Sequence, residues 1–402
     1  MAESPGRPEA APADRPTPVR ALQVERSLPR FAAARIASRP LALRLGEADL
    51  PEAPGPDWVT LRPKLSGICG SDLATVFGRS SRWFEPIVSF PFVPGHEVVA
   101  ETDTGDRVVV EPVLHCKIRG ITPACAACTA GRTNRCENLS AGHLSPGLQT
   151  GFCASTGGGW SGAFLAHRDQ LHPVPAGWSD EAAVMVEPVA CSVHAALAPS
   201  SEAARCAVVI GAGTIGLATL AALRSFRSEI TTLIAVAKHP EQRRLAVHFG
   251  ADYVAEPTEL RRAVRRATGS WILDNGQLTG GADMVFDCVG SSESLADAIA
   301  VAAPGATITL AGMPGRVGLD LTALWQRELS LVGAYAYGPE VRAGGRHSFD
   351  VAMELIASRD LARLVSARYP LDRHCEALEH ASQAGRRGAT KVVFDLGLEK
   401  RR

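Results

Sequence analysis

The chain has 402 residues, 46% of them hydrophobic, which is enough to bury a sizeable core and implies two domains or a discontinuous arrangement. Lys plus Arg and Asp plus Glu each total 42, so the formal net charge is zero and no basic field exists to hold nucleic acid or an anionic membrane. No apolar run reaches the length of a membrane span and the N-terminus lacks the apolar core of a secretory signal, so a reducing cytoplasm is the expected compartment.

In chain order, residues 1–18 are rich in Pro, Ala and Glu and nearly free of large apolar side chains, which predicts a disordered tail. Order is expected from about Val19, with Ala21–Val24 as a first strand. Short apolar runs follow at Trp58–Leu61, Val98–Ala100 and Arg107–Val110, separated by Gly, Pro and Asp, the pattern of a small, strongly bent β domain. Two of the gaps carry possible metal ligands. Gly67-Ile68-Cys69-Gly70-Ser71-Asp72 offers a thiolate, and Pro94-Gly95-His96-Glu97 offers an imidazole and a carboxylate. Zinc takes such ligands in tetrahedral geometry, and a catalytic site leaves one position open. Taken separately, Cys69 and His96 also read as a buried thiol and a satisfied core histidine.

Next comes a sulfur cluster, Cys116, Cys125, Cys128 and Cys136. The Cys125-x2-Cys128-x7-Cys136 run, interspersed with Gly131 and Asn134, reads as a loop around a structural zinc. Buried or disulfide-bonded cysteines are the alternative, weakened because nothing marks an oxidising compartment. Cys153, Cys191, Cys206, Cys288 and Cys375 are expected to be buried small apolar residues. The aromatic-rich stretch from Leu73 to Phe92 serves equally well as core or as pocket wall.

From Asp180 the pattern changes to alternating helix and strand, beginning with an acidic helix start before Ala182–Ala196. Ala207–Ile210 then runs straight into Gly211-Ala212-Gly213-Thr214-Ile215-Gly216 and an Ala- and Leu-rich helix. In that context Gly211 permits the tight turn, Gly213 admits the pyrophosphate and Gly216 allows close helix packing. Further units at Leu233–Val236, Asp283–Phe286 and Ala306–Leu310 build a doubly wound sheet. NAD-specific domains place a carboxylate at the end of the second strand, about 20 residues after the loop, but this chain reads Ala237-Lys238-His239-Pro240 there. Lys238, with His239 or Arg243, favours the 2′-phosphate of NADP over NAD, unless these are simply solvated surface cations.

Gly67 to Asp72, Gly95-His96-Glu97, the cysteine loop, Glu187-Pro188, Gly211 to Gly216, Asp287-Cys288-Val289-Gly290, Gly312-Met313-Pro314 and Lys391-Val392-Val393 stand in one order along the chain. In that order they resemble the zinc-dependent medium-chain alcohol and polyol dehydrogenases, in their sorbitol and threonine dehydrogenase branch. The resemblance covers nearly everything from Val19 onward. It implies an α/β chain in which a GroES-like β-rich catalytic domain (19–182, returning at 339–402) is interrupted by a Rossmann domain (183–338). It implies hydride transfer between a small alcohol substrate and NAD or NADP, two zinc ions per chain, and a homo-oligomer, dimer or tetramer. Cys69 and His96 would bind the catalytic zinc, with the third place open between Glu97 and Glu187, which exchange as water or substrate enters. Ser71 would begin the proton relay, Asp72 would support the ligands, and Val289 would join the cofactor site.

Two departures from the family pattern stand out. Ala74 occupies the place of the relay histidine, so another group must finish the relay. Thr122 stands where the structural lobe usually has its first cysteine, leaving Cys116 as the available substitute. Two rival readings remain: a zinc-free reductase of the same superfamily, which would lack these ligands, and a zinc-binding, nicotinamide-sensing regulator without turnover.

Overall fold

A computed structural model describes residues 18–199 and 204–398, so the expected tail lies outside the described residues apart from Pro18. The N-terminal strands β1 (Pro18–Val24) and β2 (Leu43–Asp49) pair antiparallel. β3 (Trp58–Gly67), β4 (Val98–Thr102), β5 (Arg107–Val110), β6 (Phe164–His167) and β7 (Leu171–Pro173) build most of a second, bent sheet. The register of β3 against β4 slips between Pro63 and Leu65, as expected where a proline cannot donate to the ladder.

The pairing of β3 with β4 matters for the site. β3 ends at Gly67 and β4 begins at Val98, and Gly67 N–H donates to Glu97 O at 2.8 Å. The two candidate ligand segments therefore leave the sheet side by side at one end.

The second half contributes β8 (Cys206–Ile210), β9 (Thr232–Val236), β10 (Tyr253–Ala255), β11 (Ala282–Asp287), β12 (Ala302–Leu310) and β13 (Ser330–Gly333). They form a 6-stranded parallel sheet in the order β10-β9-β8-β11-β12-β13. Chain order reverses between β8 and β11, the switch point at which such sheets bind dinucleotides. The short strands β14 (Pro339–Glu340) and β15 (Arg346–His347) follow, then β16 (Val365–Tyr369) and β17 (Lys391–Asp395). β16 and β17 return to the first sheet, with β17 pairing against β3.

The helix Val186–Leu197, rich in Val and Ala and buried almost throughout, packs on the helices Thr214–Phe226 and Ser348–Ser358. Its side chains share one core with Leu65, Val99 and Val109 of the bent sheet and with Val209 and Phe286 of the parallel one. The continuous helix expected over Ala182–Ala196 is instead two, Asp180–Val184 and Val186–Leu197, meeting at Met185. Pro188 explains the break, because it has no N–H for the carbonyl of Val184 and its ring crowds that carbonyl. The minor cysteines also need correcting. Cys153 and Cys206 are buried and Cys191 and Cys288 half-buried, but Cys375 is exposed. Its helix, His374–Ser382, turns Ala377 and Leu378 inward and leaves Cys375 on the water side.

Candidate active site

Cys69 sits at the N-cap of the helix Gly70–Val76, and its N–H donates to Asp72 Oδ2 at 2.9 Å. The other oxygen of Asp72 faces His96 Nδ1 at 3.5 Å, and both side chains are buried. One carboxylate thus addresses both ligand-bearing segments. With Nδ1 turned to Asp72, the lone pair of His96 is left on Nε2, the arrangement of a histidine prepared for a metal. Burial opposes protonation of His96, but Asp72 and Cys69 outweigh it and raise its pKa well above the ordinary value.

Ligand atoms of Cys69, His96 and Glu97 lie within 4.8 Å of one another. Glu97 is held there by its surroundings. A Cβ on Gly67 would stand 1.9 Å from Glu97 Oε2, so only glycine leaves room for the carboxylate. Lys391 of β17, itself buried, forms an ion pair with Glu97 and donates to Ile68 O at 3.3 Å. Glu187 stands outside the 4.8 Å set, its Oε1 accepting from the Cys191 thiol at 3.6 Å. Burial pushes the pKa of Glu187 up to about 7, with His96 and Lys391 opposing and Glu97 adding to the shift, so all four groups share one electrostatic neighbourhood. The donor set, a soft thiolate, an imidazole and a carboxylate brought together on two segments, fits zinc.

Ser71 lies half-buried in the first turn of the same helix, with Ala74 one turn on and no histidine at that place. Thr75 Oγ1 donates to Ser71 O at 2.9 Å and pairs with Ser80 Oγ at 2.9 Å.

The four sulfurs of Cys116, Cys125, Cys128 and Cys136 also lie within 4.8 Å of one another. Cys116 reaches the cluster because the chain folds back over 116–121, where Ile121 N–H donates to Cys116 O at 2.9 Å. Two N–H donors surround its sulfur, Cys125 N at 3.4 Å and Asn138 Nδ2 at 3.3 Å. Backbone N–H groups of Glu137 and Cys128 lower the pKa of Cys125 to about 6, whereas burial pushes the thiols of Cys128 and Cys136 up, so a bound cation would have to draw the protons from those two. The lobe is fastened by Arg119, fully buried, whose guanidinium donates to the carbonyls of Leu114, Ala141, Leu144, Ser145 and Gly147. Asn134 ties the lobe to the other half of the molecule, donating to Tyr335 O at 2.9 Å.

At the switch point Gly211 adopts φ +94°, and a Cβ there would meet Val289 Cγ2 at 2.5 Å. Val289 therefore fronts the loop, and Asp287 Oδ1 accepts from the N–H groups of Val289 and Gly290. A Cβ on Gly216 would stand 1.7 Å from Gly211 O, whereas one on Gly213 would meet nothing within 4 Å. Space is thus kept open over Gly213 at the N-terminus of the helix that begins Thr214-Ile215, as an entering pyrophosphate requires. At the end of β9, Lys238 is exposed. Arg243 is occupied by Glu256 at 2.8 Å, and His239 lies against Gly385.

Several neighbours carried no sequence signal of their own. The contacts of Cys191 with Glu187 and of Lys391 with Glu97 depend on the fold. The terminal Lys391-Val392-Val393 motif marked the position of the lysine but not its role.

An open Cys/His/carboxylate cluster beside a dinucleotide fold defines the class as a metal-assisted, nicotinamide-dependent redox enzyme. Comparison with known proteins agrees. Residues 55–176 match the alcohol dehydrogenase GroES-like domain, and residues 214–358 match the zinc-binding dehydrogenase family. The chain is 28% identical to the sorbitol dehydrogenase of Arabidopsis thaliana and 27% identical to the L-idonate 5-dehydrogenase of Vitis vinifera, in each case over 85% of this chain and 89% of the relative. Among solved structures, acetophenone reductase from Geotrichum candidum in complex with NAD superposes with a TM-score of 0.70 at 19% identity, covering 95% of this chain and 98% of that one. The chain belongs to the zinc-dependent medium-chain alcohol and polyol dehydrogenases. It is an oxidoreductase that moves hydride between an alcohol and a nicotinamide cofactor, with zinc, and the regulator reading finds no support. Among the described residues no helix is long and apolar enough to cross a membrane.

Proposed function

We propose that the protein oxidises a secondary hydroxyl of a polyhydroxylated carbon chain, and reduces the matching ketone in reverse, with NADP preferred to NAD. The observation that carries the reading is the Cys69/His96/Glu97 cluster, with Ser71 in the first turn of the adjoining helix. The polyol class draws on the relatives named for sorbitol and idonate. The cofactor preference draws on Ala237 and Lys238, since no carboxylate stands at that strand end.

In this reading Cys69, His96 and Glu97 would hold the catalytic zinc, with Glu187 as the carboxylate that would take the place of Glu97 when substrate or water enters. Cys116, Cys125, Cys128 and Cys136 would hold the second zinc. When bound, zinc supplies a Lewis acid that polarises the substrate oxygen, and the nicotinamide supplies the hydride acceptor. The protein's residues do the rest. Ser71 Oγ takes the hydroxyl proton and passes it to water or a cofactor ribose hydroxyl, because Ala74 offers no further step. Asp72 fixes the ring of His96, and Lys391 balances the charge of Glu97. Gly211, Gly213, Thr214, Ile215 and Gly216 seat the pyrophosphate beside Val289.

We also propose segment boundaries near 182 and 338, and a dimer or tetramer. All four residues of the edge strand β13 are exposed, including Leu331 and Val332, and an unpaired edge of this kind invites a second copy. The ten free cysteines suit a reducing compartment, the cytoplasm. Steady-state turnover of the zinc-replete protein on sugar alcohols, amino alcohols and simple secondary alcohols, with NADP and NAD, tests the reading. Sugar alcohols with NADP should give the highest kcat/KM. Turnover confined to simple alcohols would refute the polyol class.

A further inference from the structure

We propose that Arg386, on the turn Ala384–Arg387 ahead of β17, joins Lys238 at the end of β9 to form a two-cation seat for the 2′-phosphate of NADP. The inference rests on the NADP reading above and adds a specificity residue from the part of the chain that returns to the catalytic sheet.

Two observations carry it. The first is contact. A Cβ on Gly385 would stand 2.4 Å from His239 Cδ2 and 2.8 Å from Gln242 Nε2, so the turn lies directly against the segment that follows β9. Arg386 is the next residue, and Lys238 is the neighbour of His239. The same return segment also meets the phosphate loop, where Thr214 Oγ1 donates to Thr390 O at 3.4 Å.

The second observation is unbalanced charge. The carboxylates around this corner are already taken: Glu256 by Arg243 at 2.8 Å, Glu241 by Arg244 at 2.5 Å and Glu379 by Arg387 at 3.2 Å. Lys238 and Arg386 are both exposed, and among the described residues neither has a carboxylate partner. Two cations without a carboxylate partner thus stand one residue from the Gly385–His239 contact, at the strand end where the adenosine ribose of a dinucleotide belongs. A phosphate dianion placed between them would gain charge-assisted hydrogen bonds, and a guanidinium suits it by its planar fork of donors. A 2′-hydroxyl in the same place would gain far less.

The test is the dissociation constants of NADPH and NADH, read from cofactor fluorescence on the zinc-replete full chain and on its Arg386→Ala, Lys238→Ala and doubly substituted variants. 2′-AMP and 5′-AMP serve as competing probes. Arg386→Ala should weaken NADPH and 2′-AMP about tenfold or more, and leave NADH and 5′-AMP within about twofold. Arg386→Lys should restore part of the loss. The unliganded melting temperature should not move, since the side chain is exposed.

If the unsubstituted protein binds NADH as tightly as NADPH, the cofactor reading fails and the inference falls with it. If it prefers NADPH and Lys238→Ala abolishes that preference while Arg386→Ala does not change it, only the inference is overturned. Equal weakening of both cofactors by Arg386→Ala would also overturn it, by showing a general role in packing or charge.

Discussion

Asp72 is the residue on which the open site depends most. It bonds the backbone of Cys69 and faces the ring of His96, so it holds two ligands that belong to different segments, one following β3 and one preceding β4. Asp72→Asn keeps the shape but removes the charge, and should lower zinc affinity by about 10–100-fold, measured by competition with a chelator, with little change in cofactor binding. Gly67 makes a complementary case, since its lack of a Cβ leaves open the space that the Glu97 carboxylate fills. Gly67→Ala should displace that carboxylate and destabilise the fold by about 1–3 kcal/mol in chemical denaturation, with zinc released more readily than from the parent. Sequence alone pointed to Cys69, His96 and Glu97, because ligand chemistry resides in residue type. It could not point to Lys391 as the partner of Glu97, nor to the size constraint on Gly67, because both arise only when β3, β4 and β17 become neighbours.

The glycine loop and the cysteine lobe separate at the level of elements. Gly216 and Gly213 belong to one motif, yet a methyl group at Gly216 would collide with Gly211 O whereas one at Gly213 would find open space. Gly216→Ala should therefore lower the melting temperature of the unliganded protein. Gly213→Ala should melt normally and lose most of its cofactor affinity, as measured by fluorescence titration. The pattern β-strand, glycine loop, helix was readable because a buried parallel strand and a tight turn each leave a compositional trace. The break at Met185 left a weaker one. Pro188 was visible, but in sequence alone it read as part of the Glu187-Pro188 motif, and its effect on the preceding turn needed the backbone. In the lobe, Thr122 interrupted the expected spacing, and the return of the chain that brings Cys116 back depends on Arg119 and the carbonyls around it. Cys116→Ser should release one zinc per chain and lower the melting temperature, since a metal held only by the folded chain stabilises it by its binding free energy.

For the molecule as a whole, one core runs from the bent sheet through the helix Val186–Leu197 into the parallel sheet, which places Glu187 and Cys191 against both halves. Zero net charge leaves association to apolar surface and strand edges rather than to long-range attraction. If β13 is the edge that pairs, replacing Leu331 and Val332 together by lysine should convert the assembly to a smaller one in sedimentation, without loss of zinc. The most direct single measurement is zinc content per chain by elemental analysis, made on the parent protein and on Cys69→Ser and Cys116→Ser. The two sulfur-containing clusters predict two zinc ions in the parent and one in each variant, with turnover abolished by Cys69→Ser. A Cys69→Ser variant that keeps both zinc ions and its activity would contradict the assignment of the open cluster as the catalytic centre, and an active parent whose single zinc is lost in Cys69→Ser would contradict only the second zinc at the cysteine lobe.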